Sequence, residues 1–121
     1  MSTLKVNNLQ DANSANNSTP EQLAQGRAKA WVRFDGTGTV SITDSFNVSS
    51  MSDNGTGSYA FALTTNMANT NYVAMANSGR FAQCGGSTSS YTTNIFNVAV
   101  ANISGNNEDR PIVHAIVFGD Q

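Results

Sequence analysis

From residue 28 onward the apolar residues recur at every second position, and this alternation constrains the fold more than any other feature of the chain. Val40, Ile42, Phe46 and Val48 share one parity, while Thr39, Ser41, Thr43, Ser45 and Asn47 share the other. A period of two places successive side chains on opposite faces of an extended strand, so this segment reads as a half-buried antiparallel strand. Asp44 falls on its apolar face and predicts a bend there. The segment before it behaves alike, with Ala28, Ala30, Val32 and Phe34 opposed to Lys29, Trp31, Arg33 and Asp35.

Turn signals separate the strands. Asp35-Gly36-Thr37-Gly38, Asp53-Asn54-Gly55 and Ser104-Gly105-Asn106-Asn107 supply residues that tolerate positive φ. Further strands carry Tyr59, Phe61 and Leu63, then Val73 with Met75, then Phe96, Val98 and Val100. Gly79 to Ser90, with Gly85, Gly86 and a Ser/Thr cluster, reads as a long loop. After Pro111 the last strand is apolar on both faces: Ile112, Ile116 and Phe118 on one, Val113, Ala115 and Val117 on the other. Such a strand belongs in the middle of a sheet or in an interface. Six or seven short strands spaced in this way predict an all-β antiparallel β-sandwich or jelly roll over residues 28–121.

Residues 1–27 follow another pattern and form a separate short extended and helical segment. Leu4, Val6 and Leu9 are isolated apolar points in a polar string. Thr19-Pro20-Glu21-Gln22 is a helix-start signal: a hydroxyl N-cap, proline at the first helical position and glutamine three residues after the cap. Gly26 is the expected C-cap. A helix of one or two turns needs something to pack on.

Composition excludes several classes of function. Charged residues are 12% of the 121, against about 25% in ordinary domains. Asn, Ser and Thr fill about a third of the chain, a composition suited to strands and turns. The net charge of −2, with no basic stripe, argues against nucleic acid as a partner. The apolar runs are too short for membrane insertion, and the N-terminus does not read as a signal peptide. One cysteine, Cys84, permits no internal disulfide and fits synthesis in a reducing cytoplasm.

The order and spacing of Lys29-Ala30-Trp31-Val32, Gly36-Thr37-Gly38-Thr39, Ser45-Phe46-Asn47-Val48-Ser49-Ser50 and Asp53-Asn54-Gly55-Thr56-Gly57 resemble a segment of bacteriophage tail-fibre and virion appendage proteins, especially those of cyanobacterial phages. The opening Leu4-Lys5-Val6-Asn7-Asn8-Leu9-Gln10-Asp11 and the ending Val117-Phe118-Gly119-Asp120 are also similar to that family. The resemblance implies a homotrimer whose distal parts bind a host-surface glycan or protein. Members are often long, so this short chain is expected to be a small appendage of the virion, anchored on the baseplate, tail or capsid.

The residues themselves predict no enzyme, cofactor or metal. His114 is the sole histidine, set among apolar neighbours where packing is the ordinary role; on a trimer axis, three copies would meet and form a possible metal ring. Cys84 has no base near it in sequence. Asp35, Asp44, Asp53, Glu108, Asp109 and Asp120 fall mostly in turns, where carboxylates need no catalytic explanation. Leu4, Val6, Leu9, Leu23 and Trp31 are the candidate attachment and trimer-interface residues. Trp31 beside Arg33 is also a weaker candidate for stacking on sugar. Arg80, Gln83, Ser87, Ser90, Tyr91, Asn106 and Asn107, in the polar loops, are the candidate receptor-binding residues. The rival readings are a capsid decoration, cement or head-fibre protein, and a small carbohydrate-binding module.

Overall fold

A computed structural model describes residues 1–78, 82–85 and 91–121, with backbone alone for 82–85. In chain order the elements are β1 (Leu9–Gln10), β2 (Asn17–Ser18), α1 (Pro20–Gly26), β3 (Ala30–Asp35), β4 (Ser41–Phe46), β5 (Val48–Asp53), β6 (Ser58–Leu63), β7 (Val73–Ser78), β8 (Ala82–Gly85), β9 (Ile95–Asn102) and β10 (Val113–Phe118). The last eight strands form two antiparallel four-stranded sheets. Sheet I has the order β4-β3-β10-β7, and sheet II the order β5-β6-β9-β8. The chain crosses between sheets after β4, β6, β7 and β9. The fold is therefore an all-β antiparallel sandwich.

The inward faces meet in one core. Ala30, Val32, Phe34, Val113, Ala115 and Val117 of sheet I pack against Tyr59, Phe61, Leu63, Phe96, Val98 and Val100 of sheet II. Phe34 lies 4.9 Å, centroid to centroid, from both Tyr59 and Phe61, and Phe61 stacks on Phe96 at 5.2 Å. Each fully buried side chain of this size contributes about 1.5–3 kcal/mol through removal from water. The doubly apolar β10 is paired on both sides, with β3 and with β7. Its Val113, Ala115 and Val117 fill the core while Ile116 and Phe118 are half-buried outside.

Three expectations need correction. The run from Val40 to Val48 is not one strand. Asn47 adopts φ +58° between β4 and β5, and the chain passes there from sheet I to sheet II. Asn tolerates this conformation because its side chain bonds locally, and here Asn47 Nδ2 donates to the carbonyls of Lys29 and Thr65 while its Oδ1 accepts from the Thr65 amide. Phe46 also leaves the face of Val40 and Ile42. Thr43 is extra in the pairing with β3, where Arg33 pairs with Asp44 but Phe34 with Ile42. A bulge reverses the parity beyond it, so Asp44 and Phe46 both turn outward. Finally, the stretch read as a loop from Gly79 to Ser90 contains β8, paired with β9 at the edge of sheet II.

Residues 1–27 bury no side chain. The cap forms as its residues dictate: the Gln22 amide donates to Thr19 Oγ1 and the Thr19 amide to Gln22 Oε1. The C-cap is Arg27, one residue beyond Gly26. The helix is held to the body by Lys29, whose Nζ donates to the carbonyls of Ala24 and Arg27. Lys29 is 4% exposed, and its ammonium meets the negative end of the helix. Gln25 donates to Asp120 beside it.

Candidate functional site

The strand directions give the sandwich two unlike ends. At one end are α1, the crossing at Asn47, the connection between β6 and β7, and Tyr91. At the other are the β3–β4 and β5–β6 turns and the long connection from Asn102 to Ile112. Asn106 and Asn107 are exposed at this second end, where the Asn102 amide donates to the Asn106 carbonyl and Gly105 takes φ +83°.

This end is braced from inside. Asp109 Oδ1 accepts from the Tyr59 hydroxyl at 2.6 Å and from the Gly57 amide at 2.8 Å. The same hydroxyl lies 3.1 Å from the Gly36 carbonyl. Burial, then the bond to Asp109, pushes the Tyr59 hydroxyl well above its ordinary range. The two donors, Tyr59 first, hold the Asp109 carboxyl below the ordinary aspartate range. Gly57 has φ +65°, and a Cβ there would strike the Val100 carbonyl and the Glu108 amide. The arrangement fixes the loops: a buried tyrosine and a carboxylate that accepts from it and from the Gly57 amide tie three connections together. At the opposite end Tyr72 donates to the Thr92 or Ile95 carbonyl, and burial raises its hydroxyl to about 12.

The outward face of sheet I is the second candidate surface, and β-pairing arranges it in rows. Phe46, Trp31, Ile116 and Met75 are cross-strand neighbours in turn and form an apolar row across all four strands. Asp44, Arg33, His114 and Asn77 form a parallel polar row two residues along. Val73 and Phe118 are paired on the other side of the apolar row. Trp31, Phe46, Val73 and Met75 are 37, 51, 59 and 58% exposed. Trp31, Arg33, Met75, Asn77, His114 and Ile116 line a shallow depression of about 620 Å3. Among the described residues, the side chains of Arg33, Asn77 and His114 make no hydrogen bond or ion pair. The outward face of sheet II is built mostly from small residues, Ser50 and Ser52 beside Ala62 and Ala60, then Asn97 and Ala99, with half-buried Ile95 as its large apolar residue among those described.

The candidate residues are thus divided among several places. Leu4, Val6, Leu9 and Leu23 line a groove of about 690 Å3 between the N-terminal strand and α1, and are 81, 41, 53 and 49% exposed. Trp31 lies on the outer face of sheet I, apart from them. Tyr91 is half-buried against Tyr72, at the end of the sandwich away from Asn106 and Asn107. Arg80, Ser87 and Ser90 lie outside the described residues. Gln83 and Cys84 are on β8, with side chains likewise outside the description. His114 belongs to the other sheet from Cys84 and is exposed beside Arg33. Among the described residues no group of three or more His, Cys, Asp or Glu side chains is placed to share a metal ion, and no helix is long and apolar enough to cross a membrane.

Sequence reasoning missed Lys29 as the post for α1 and Asp109 as the brace of the loops. Asp109 acts on Gly57 and Tyr59, 52 and 50 residues away, which no local pattern reveals. Lys29 bonds carbonyls only five and two residues before it, but its place on the polar face of the strand pattern hid its burial. Comparison of the chain with protein-family models, curated proteins and solved structures finds no match.

Proposed function

We propose that the chain is a non-enzymatic structural protein of a bacteriophage particle, a short trimeric appendage of the tail-fibre or baseplate kind that takes part in host attachment. Residues 1–27 join it to other virion proteins, and the connections at the far end of the sandwich face a host-surface glycan or protein. The observation that carries this reading is the polarity of the sandwich. An arm with exposed apolar side chains leaves one end, and connections carrying exposed Asn106 and Asn107, together with exposed Ile103 and Ile112, occupy the other. The sandwich encloses a core of its own, so the arm's apolar groove is free to be filled by a partner. The resemblance of residues 28–61 to phage fibre proteins supports the same reading. Rigid loops on a braced scaffold suit weak contacts that become strong when repeated by symmetry.

The test is the position of the chain in a reconstruction of the particle. A small symmetric set of copies, with α1 toward the virion and the Asn102–Ile112 connection outward, is the expected result. Hundreds of copies covering the shell would instead identify a capsid decoration protein, and absence from purified particles would end the virion reading. A carbohydrate-binding module is the remaining alternative, favoured by exposed Trp31 beside Arg33 and Asn77. Binding of a free glycan by the chain, with no copy in the particle, is its signature.

A further inference from the structure

We infer that the outer face of sheet I is where three copies of this chain meet, with their strands running along the symmetry axis and the β4 flank of each copy against the β7 flank of the next. The inference rests on the trimeric reading above and assigns the surface that makes the trimer.

Three observations carry it. The first is area. The exposed parts of Trp31, Phe46, Val73 and Met75 amount to about 400 Å2 of apolar surface, taking about 150–250 Å2 for each large side chain. Half-buried Ile116 and Phe118 extend the patch. A standard interface takes about 800 Å2 from each partner, roughly 65% of it apolar at its core. In a ring of three each copy divides the patch between two neighbours, about 200 Å2 to each, so the patch forms the apolar centre of each contact while the polar row and the strand flanks supply the remainder.

The second is complementarity between the two flanks. Rotation about an axis parallel to the strands brings the β4 end of each row to the β7 end of the neighbouring row. Phe46 then meets Met75, an aromatic ring against a thioether. In the next layer Asp44 meets Asn77, which offers its amide as donor. Asp44 is left between its own Arg33 and the neighbour's Asn77, so the anionic end of each polar row faces the neutral, hydrogen-bonding end of the next. A mismatch of one layer would set Asp44 against Met75 and leave it only the Ser45 amide and Arg33 of its own chain, so the polar row favours the layer-matched arrangement.

The third is continuity with the attachment end. The apolar row lies toward α1, and the polar row toward the loops. The same axis therefore leads from the three arms, through the apolar layer and the polar layer, to the loops at the far end. Trp31 and Ile116 occupy the centre of the face, and Arg33 and His114 the layer above them.

The experiment uses the full chain with Cys84→Ser and two added cysteines, Phe46→Cys and Met75→Cys. Mild copper-catalysed air oxidation is expected to close a covalent trimer, seen as a three-chain band under non-reducing conditions. Each single-cysteine variant is expected to stay uncrosslinked, as is the pair Ser52→Cys with Ala99→Cys on sheet II. In parallel, Trp31→Glu, at an exposed position, is expected to shift the sedimenting mass from three chains to one with an unchanged β-type circular-dichroism spectrum. A wild-type trimer that forms no Phe46→Cys/Met75→Cys crosslink and resists Trp31→Glu would overturn this surface and leave the trimeric appendage intact. Covalent dimers alone would overturn the threefold arrangement. A wild-type chain that sediments as a monomer at micromolar concentration would remove the trimeric reading and this inference with it.

Discussion

The arm and the sandwich are made from similar residues yet differ in what they bury. Both are rich in Asn, Ser and Thr. In β3, β6, β9 and β10 every second residue is enclosed or nearly so, and Ala30, Phe34, Tyr59, Phe61, Phe96, Val100, Val113 and Val117 are fully shielded from water. In residues 1–27 none is. The arm's order comes from local bonds instead: the Thr19–Gln22 capping box, and Asp11, whose carboxylate accepts from the amides of Asn13 and Ala15. Local bonds of this kind contribute about 1 kcal/mol each, whereas burial of one large side chain contributes more. The body thus holds nearly all the stability, and the arm is left with apolar surface to spend on a partner.

Four measurements would break or sharpen that division. Phe61→Ala opens a hole where Phe34 and Phe96 converge, and is expected to cost about 3–5 kcal/mol in chemical denaturation, enough to unfold a marginal body. A small loss there would mean that the core is not the seat of stability. Tyr59→Phe keeps the ring and removes the hydroxyl that holds Asp109 and the Gly36 carbonyl. The expected loss is about 1–3 kcal/mol, with faster amide exchange in the Asn102–Ile112 connection.

The Asp109 carboxyl is held below its ordinary range in the folded state. Its contribution is therefore present above the unfolded value of about 4 and is lost as pH falls through the lower folded value. Asp109→Asn is expected to flatten the acid limb of a stability-against-pH curve and leave the neutral region sloped as before; an unchanged acid limb would show that solvent already screens this group. The smallest effect belongs to the arm. Thr19→Ala removes the cap and is expected to melt α1 locally, by about 1 kcal/mol, while the melting transition of the body stays within about 0.5 kcal/mol. A clear fall in that transition would mean that arm and body unfold together, through Lys29.

Much of the body was legible because alternation and turn chemistry are local. The inward sets of β3, β6 and β9, the turn at Asp53-Asn54-Gly55 and the Thr19 cap all follow from residues within a few positions of one another. The central place of β10 follows from its apolar residues on both faces. The failures have one cause. The bulge at Thr43, the sheet change at Asn47 and the pairing of β8 depend on partners far along the chain, and a single extra residue reverses every side chain beyond it. For the candidate surfaces, sequence marked Trp31, Leu4, Val6, Leu9 and Leu23 as apolar residues without evident burial. It had no means of placing Trp31 in line with Phe46, Ile116 and Met75.

The sequence by itself determined that the chain is an antiparallel β domain with a distinct N-terminal arm, because side-chain period and turn residues act over a few bonds. Only the tertiary structure decided which strands are neighbours, and hence that four apolar residues from four strands form one row and that arm and loops lie at opposite ends. Strand pairing joins positions more than eighty residues apart, such as Ala30 and Val117. That choice is made by the closure of a shared core, not by any pattern within one strand.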